Sequence, residues 1–298
     1  EVVSPLWVGR FPANSQALHA PNPFCVMTER GELDAFCRQQ AEQQGACFRQ
    51  TRGIHAIKQD SNGVTVTTRE GERYQSDTLI AADGANSPVR KLLGERRYPG
   101  AMAIEGCVPR DRLTRYPGMT LDFAAIKGGY GWLFPKGDHV NVGLYVWRHG
   151  LASPGREQLE RYSQQRLGVS PSHMQGYPLG TWLPRARLRH GRILFAGDAA
   201  GCTEALLGEG IYGAVLSGQL AAQAILAGQL SSYPHWLAGW REEVATVEQL
   251  AGLYYRLMPM STRMLQGHLG ETLVDGFARG LTLGQCKRRW RGASIVGG

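Results

Sequence analysis

Lysine is almost missing from this chain, at 5 of 298 residues against 28 arginines. Other features are missing altogether: a CxxC pair, histidines at metal-ligand spacing, a GxSxG turn, and any apolar run near the roughly 18 residues of a membrane-spanning helix. Each absence removes a class. Without paired ligands a metal site has nothing to build on. Without a nucleophile turn or a Ser/His/Asp constellation, hydrolase chemistry has no footing. The long small-residue stretch from Ala199 to Leu230 carries Glu204 and Glu209, so it does not read as a membrane span. Six cysteines, at 25, 37, 47, 107, 202 and 286, follow no secretory signal and read as free thiols in a reducing, cytoplasmic setting. The net charge is 33 − 25 = +8, but the bases are scattered rather than gathered into a stripe, so no nucleic-acid partner is expected.

What is abundant is glycine. The chain has 39, about 13% against an ordinary share of roughly 7%, which points to tight turns and close approach of backbone to a ligand. Hydrophobic residues at 43% and charged residues at 19% describe a globular chain, and its length predicts two domains. Glu1 leads straight into an apolar stretch, Val2 to Val8, as though the chain opened in mid-fold, and an N-terminal piece is expected to precede it.

Leu33, Phe36, Cys37 and Ala41 recur at helical spacing between Thr28 and Gly45 and predict a helix over 30–44. Runs at 54–57, 64–68 and 73–76, separated by Ser-Asn-Gly and Glu-Gly, predict a small antiparallel sheet. Short buried strands are expected at 77–82 and 192–196, ending in Asp83-Gly84 and Gly197-Asp198. Between them, residues 100–147 are strand-like, clearest at 119–126 and 140–146. A helix over 156–167 and a proline-spaced loop follow, and helices are expected at 87–93, at 210–227 and through most of 233–290. This interleaving predicts an α/β fold with an inserted antiparallel sheet and a helical C-terminal region.

Gly208-Glu209-Gly210-Ile211-Tyr212-Gly213 matches GxGxxG, but the nearest strand ends twelve residues earlier and Gln229 and Leu230 stand where an acidic residue is needed. It is not a dinucleotide fingerprint. The two strand-to-Asp junctions are more informative. Asp83 and Asp198 each stand at the carboxyl end of a strand beside a helix start, where a carboxylate can either cap the helix or accept hydrogen bonds from sugar hydroxyls. Tyr130, Trp132 and Phe134 alternate along a strand and share one face, forming either core or the wall of an apolar pocket. The interleaved Gly128, Gly129 and Gly131 favour open space there, and hence the pocket.

LIAADGANSPVRK at 79–91 and ILFAGDAAGCTEALLGEGIYGAVLSGQLAA at 193–222 resemble the DG and GD motifs of FAD-dependent enzymes of the p-hydroxybenzoate hydroxylase type. GYGWLFPKGDHVNVGLYV at 129–146 resembles the signature of the geranylgeranyl reductase family, and the likeness covers about residues 22–230. It implies an FAD-binding Rossmann-like domain whose N-terminal βαβ is missing, over 22–95 and 191–232. It implies a substrate-binding sheet domain over 1–21 and 96–190, and a helical region over 233–298. Asp198, with Gly197, would hold the FAD ribityl chain, and Gly208, Gly210 and Ile211 would pass beside the isoalloxazine. Asp83, Gly84 and Arg30 would lie at the pyrophosphate and ribose, although Arg30 alone reads as a solvated base at a helix end.

The substrate implied is a prenylated lipid or other isoprenoid, lying against Tyr130, Trp132, Phe134, Pro135, Gly143 and Tyr145. The family continues Gly-x-Gly after its aromatic box, so Tyr145 would fill space that the family leaves empty. The family's Gly-rich phosphate loop and Pro-x-x-Cys-Gly motif have no counterpart here. The activity implied is reduction of carbon-carbon double bonds by reduced flavin, with NADPH or another reductant as electron donor and Tyr130 as the proton-donor candidate. A flavin monooxygenase and a truncated non-catalytic fragment are the alternatives. Arg279, Lys287, Arg288, Arg289 and Arg291 around Trp290 offer a peripheral membrane contact.

Overall fold

A computed structural model describes residues 2–3, 6–10, 14–18, 25–95, 100–147, 154–182, 184–266, 268–279, 281–282 and 285–286. The fold is mixed α/β, as expected. Eight α-helices occur among the described residues: α1 Arg30–Gln43, α2 Pro88–Leu92, α3 Arg156–Leu167, α4 Ile211–Leu226, α5 Tyr233–Trp236, α6 Ala238–Arg256, α7 Met258–Leu265 and α8 His268–Ala278. The chain divides into two compact units, one of Glu1–Cys37, Met102–Tyr177 and Gln249–Gly298, the other of Arg38–Ala101 and Pro178–Glu248.

The first unit is built on a seven-stranded sheet in the order Ser172–Leu179, Ala101–Pro109, His139–Trp147, Gly129–Pro135, Thr120–Asp122, Leu6–Arg10, Asn14–Leu18. Its central hairpin pairs Tyr130 with Tyr145, Trp132 with Gly143 and Phe134 with Asn141. The opposite face of that hairpin presents Leu133, Val140, Val142 and Leu144, which pack on Leu159 and Tyr162 of α3. Burying such side chains supplies roughly 1.5–3 kcal/mol each. Two expectations are corrected here. The strand expected over 119–126 stops at Asp122, whose Oδ1 accepts the N–H of Ala124 at 2.9 Å and turns the chain. The proline-spaced loop contains a strand, Ser172–Leu179, which tolerates Pro178 because it lies at the sheet edge.

The second unit holds the parallel pair Leu79–Ala81 and Ile193–Phe195, with Arg189–His190 antiparallel at its side, and a separate three-stranded sheet of Ile54–Gln59, Val64–Thr68 and Arg73–Ser76. Ile193, Leu194 and Phe195 are fully buried against Ala221 and Ala224 of α4 and Tyr233 of α5. Small alanines let α4 lie close to the strand, which places the α4 N-terminus beside the Gly197-Asp198 turn. Back in the first unit, α7 packs on α8 and on Leu6–Arg10. The basic segment 287–291 lies outside the described residues, while Arg279 pairs with Asp275 at 2.9 Å.

Candidate functional site

Both strand-to-Asp junctions lie in the second unit. Asp83 follows Leu79–Ala81 and turns its carboxylate to the start of α2. Its Oδ1 accepts the Ser87 hydroxyl at 2.7 Å and its Oδ2 the Val89 N–H at 2.8 Å. Ser87 Oγ accepts the Arg90 N–H in turn. The capping role therefore takes up Asp83. Beside it, Gly84 has φ +80°, and an added Cβ there would meet nothing within 4 Å, so backbone faces open space.

Asp198 is held differently. Its Oδ2 accepts the N–H of Gly180 at 2.9 Å and its Oδ1 the Thr203 hydroxyl at 2.7 Å. Gly210 comes so close that an added Cβ would lie 3.4 Å from Oδ1 and 2.7 Å from Thr203 Oγ1. Gly197 takes φ +58°, and its N–H donates to the buried Ser217 Oγ on α4 at 2.8 Å. Asp198, Gly197 and Gly210 thus come together, joined by Gly180, Thr203 and Ser217, which sequence reasoning missed.

The loop between them is fixed from behind. Four backbone carbonyls accept side-chain donors: Phe195 from Tyr233 Oη at 2.5 Å, Ala199 from Arg90 Nε at 2.6 Å, Ala200 from Arg241 Nη1 at 2.8 Å and Cys202 from Trp240 Nε1 at 3.1 Å. Burial pushes the Cys202 thiol up to about 11, so it is no thiolate at neutral pH. Glu204 is buried and gathers the next stretch: Oε2 accepts the Leu206 N–H at 2.8 Å, and Oε1 accepts those of Leu207 at 2.7 Å and Glu209 at 3.1 Å. Glu209 Oε1 accepts the Tyr212 N–H and caps α4.

The N–H groups of Gly208, Gly210 and Ile211 have no hydrogen-bond partner among the described residues. They stand at the N-terminus of a 16-residue helix, where the backbone carries partial positive charge. Ile211, Tyr212 and Val215 beside them are about half exposed. A flat, apolar ring with an electron-rich edge has here both a surface and donors for that edge. The residues present fit an isoalloxazine.

In the first unit, Tyr130, Trp132 and Phe134 share a face as expected and follow one another in a row of tilted rings, with centroids 6.0 and 5.9 Å apart. Tyr145, fully buried, lies against Tyr130 at 5.2 Å, and Phe123 joins Tyr130 to Tyr254 of α6. Pro135 closes the same strand. The glycines do not leave the open space expected of them. A Cβ on Gly131 would strike the Tyr162 ring at 2.5 Å, and one on Gly129 would strike the Tyr145 carbonyl at 1.8 Å. Gly143 seats the Trp132 indole, whose Nε1 donates to Asn141 Oδ1 at 2.6 Å. The signal for that pairing was register, which a single strand does not show. Arg30, in the same unit, is exposed and ion-paired with Asp34 one turn on.

Solved structures share this fold. A geranylgeranyl bacteriochlorophyll reductase-like protein from Thermoplasma acidophilum superposes with a TM-score of 0.66 over 97% of this chain and 79% of its own, at 18% identity, which establishes the fold. Residues 6–109 match the FAD binding domain family. Geranylgeranyl diphosphate reductase of Oryza sativa is 31% identical over 70% of this chain and 49% of its own length. Menaquinone reductase of Mycolicibacterium smegmatis is 30% identical over 76% of this chain and 58% of its own. The chain thus carries a match to an FAD binding domain and has geranylgeranyl reductases among its relatives. It spans about half the length of the rice reductase.

Proposed function

We propose that the chain takes part in flavin-dependent reduction of carbon-carbon double bonds in a prenyl chain. The observation that carries this reading is the set of N–H groups at Gly208, Gly210 and Ile211, unpartnered among the described residues and beside Asp198, in a chain whose relatives include a geranylgeranyl diphosphate reductase and a menaquinone reductase. When bound, FAD supplies hydride from its reduced ring. The chain's own part is binding and placement. Asp198, fixed by Gly180 and Thr203, would keep lone pairs for a ribityl hydroxyl. The free N–H groups would face the ring edge where negative charge collects on reduction. Gly84 would give the adenosine side of the cofactor room. Phe134, the half-buried end of the aromatic row, would offer the prenyl chain an apolar contact backed by the buried Tyr130, Trp132 and Tyr145. The dry surroundings suit an isolated alkene, which is a poor hydride acceptor.

The test is anaerobic turnover of full-length protein loaded with FAD, reduced by dithionite and offered a geranylgeranyl compound. The expected product gains two hydrogens per bond, read by mass. Oxygen-dependent substrate hydroxylation with no anaerobic product would favour the monooxygenase reading instead. Asp198→Ala should weaken FAD binding by one or two charge-assisted hydrogen bonds, on the order of 1.5–3 kcal/mol each. Unchanged affinity in that variant would remove Asp198 from the site.

A further inference from the structure

The carboxylate of Glu204 has no part in the chemistry just described, yet three of the N–H groups in the 204–209 segment converge on it. Its own N–H donates to the Glu209 carbonyl at 2.9 Å and closes the segment into a ring of bonds. The ring leaves out Gly208, Gly210 and Ile211, whose N–H groups have no partner among the described residues. We propose that Glu204 is a positioning residue whose protonation state sets the shape of the 204–211 loop and, through it, the grip of the chain on FAD. This rests on the cofactor reading above.

The physical case has two opposed parts. Three N–H donors favour the ionised carboxylate, and each is satisfied only while both oxygens accept. Burial opposes ionisation and is the larger effect, pushing the group up to about 7, while the Glu209 carboxylate nearby pushes the same way. No salt bridge to a described cation offsets either. Glu209 itself is occupied at Oε1 by the Tyr212 N–H of α4, so the two acids divide the loop between them. Asp198, which accepts from Thr203 and Gly180, is the nearest other acid of the same turn in sequence. Near neutral pH the loop therefore exists in two states. In one, three N–H groups are tied to Glu204 and the remaining three are presented. In the other, a neutral acid releases at least one of its bonds and the presented edge loses its fixed geometry.

The experiment has an arm without cofactor and an arm with it. In full-length protein without FAD, carbon-13 shifts of the Glu204 carboxyl and nitrogen shifts of the loop amides are followed from about pH 5 to about pH 9. The carboxyl is expected to titrate near neutrality, with the amides of Leu206, Leu207 and Glu209 and those of Gly208, Gly210 and Ile211 moving on the same curve. In the second arm the FAD dissociation constant is measured by flavin fluorescence over the same range, in which FAD keeps constant charge. Affinity is expected to fall nearly tenfold from about pH 8 to about pH 5, the size of a one-unit shift in the Glu204 carboxyl on binding. Glu204→Gln should flatten that dependence. Amides at 208, 210 and 211 that stay still while the carboxyl titrates would overturn the proposal. So would wild-type FAD affinity that is flat or rises on acidification, or a Glu204→Gln profile that matches wild type. Failure of wild type to bind FAD at any pH is a different result, since it removes the cofactor reading and this role with it. The carbon-13 arm reads wild type alone, so a misfolded variant does not blunt the test.

Discussion

Glu204 ties local geometry to global stability. Its ordinary value is 4.5 and burial raises it to about 7 in the folded chain. Between those values the folded state holds a proton that the unfolded state has released, so the group's contribution to stability is full below about pH 4.5 and is lost as pH rises through about 7. The loss is on the order of 3 kcal/mol at alkaline pH. Denaturant titrations of wild type and Glu204→Gln should accordingly differ in their pH slope, with wild type the steeper between about pH 5 and pH 7. Parallel curves would mean that the carboxylate is solvated after all. Gly143 is a second residue whose size matters. A methyl there would lie 2.0 Å from the Trp132 ring, so Gly143→Ala must displace the indole and strain its bond to Asn141. The expected cost is about 1–3 kcal/mol, read as a lower urea midpoint. An unchanged midpoint would show that the indole relocates freely. Neither role was legible beforehand, because burial and cross-strand register are properties of a fold rather than of a residue's neighbours in sequence.

Among the elements, those with a repeating pattern were readable and those defined by contact were not. Alternation in Val64–Thr68 and helical spacing in 210–227 led to elements within a residue or two of the observed ones. Ser172–Leu179 escaped notice because Gly176 and Pro178 break its pattern, which an edge strand survives. The short helix α2 shows the other limit. Its start was visible from Asp83 and Ser87, but its main task is carried by Arg90, whose partners Ala199 and Arg187 are 109 and 97 residues away. Arg90 lies over the Phe195 ring at 3.9 Å and pairs with Glu95 at 2.5 Å, so one buried guanidinium joins α2 to the Gly197–Ala200 turn. Arg90→Met keeps the stem and removes the fork. It should destabilise by about 3–5 kcal/mol, since Glu95 and two carbonyls lose their donor, and Arg90→Lys should recover only part, because an ammonium cannot reach three acceptors in a plane. Thermal unfolding of both variants checks this, and full recovery by lysine would reduce the role to charge alone.

At the scale of the whole molecule, the proposed activity on a prenyl chain would require access to a bilayer. No helix among the described residues is long and apolar enough to cross a membrane. The sequence offers one other route. After Asp275 it contains no acidic residue, and Arg279, Lys287, Arg288, Arg289 and Arg291 surround Trp290. Arg279 is already engaged by Asp275, which leaves four bases in the terminal run to meet a surface. Each is worth about 1 kcal/mol near an anionic bilayer, and the indole would settle at the headgroup level. Together they would bring a weak, reversible attachment of a few kcal/mol that collapses at high salt, since exposed charges are screened within a Debye length. Full-length protein should therefore float with anionic liposomes at low salt, sink at about 0.5 M salt, and ignore neutral liposomes throughout. Replacing Lys287, Arg288, Arg289 and Arg291 with glutamine should abolish flotation without altering FAD binding, because these bases are distant in sequence from the Gly197–Ile211 segment. Flotation that is indifferent to lipid charge and to salt would exclude an electrostatic contact, and prenyl substrate would then have to be handed over by a carrier.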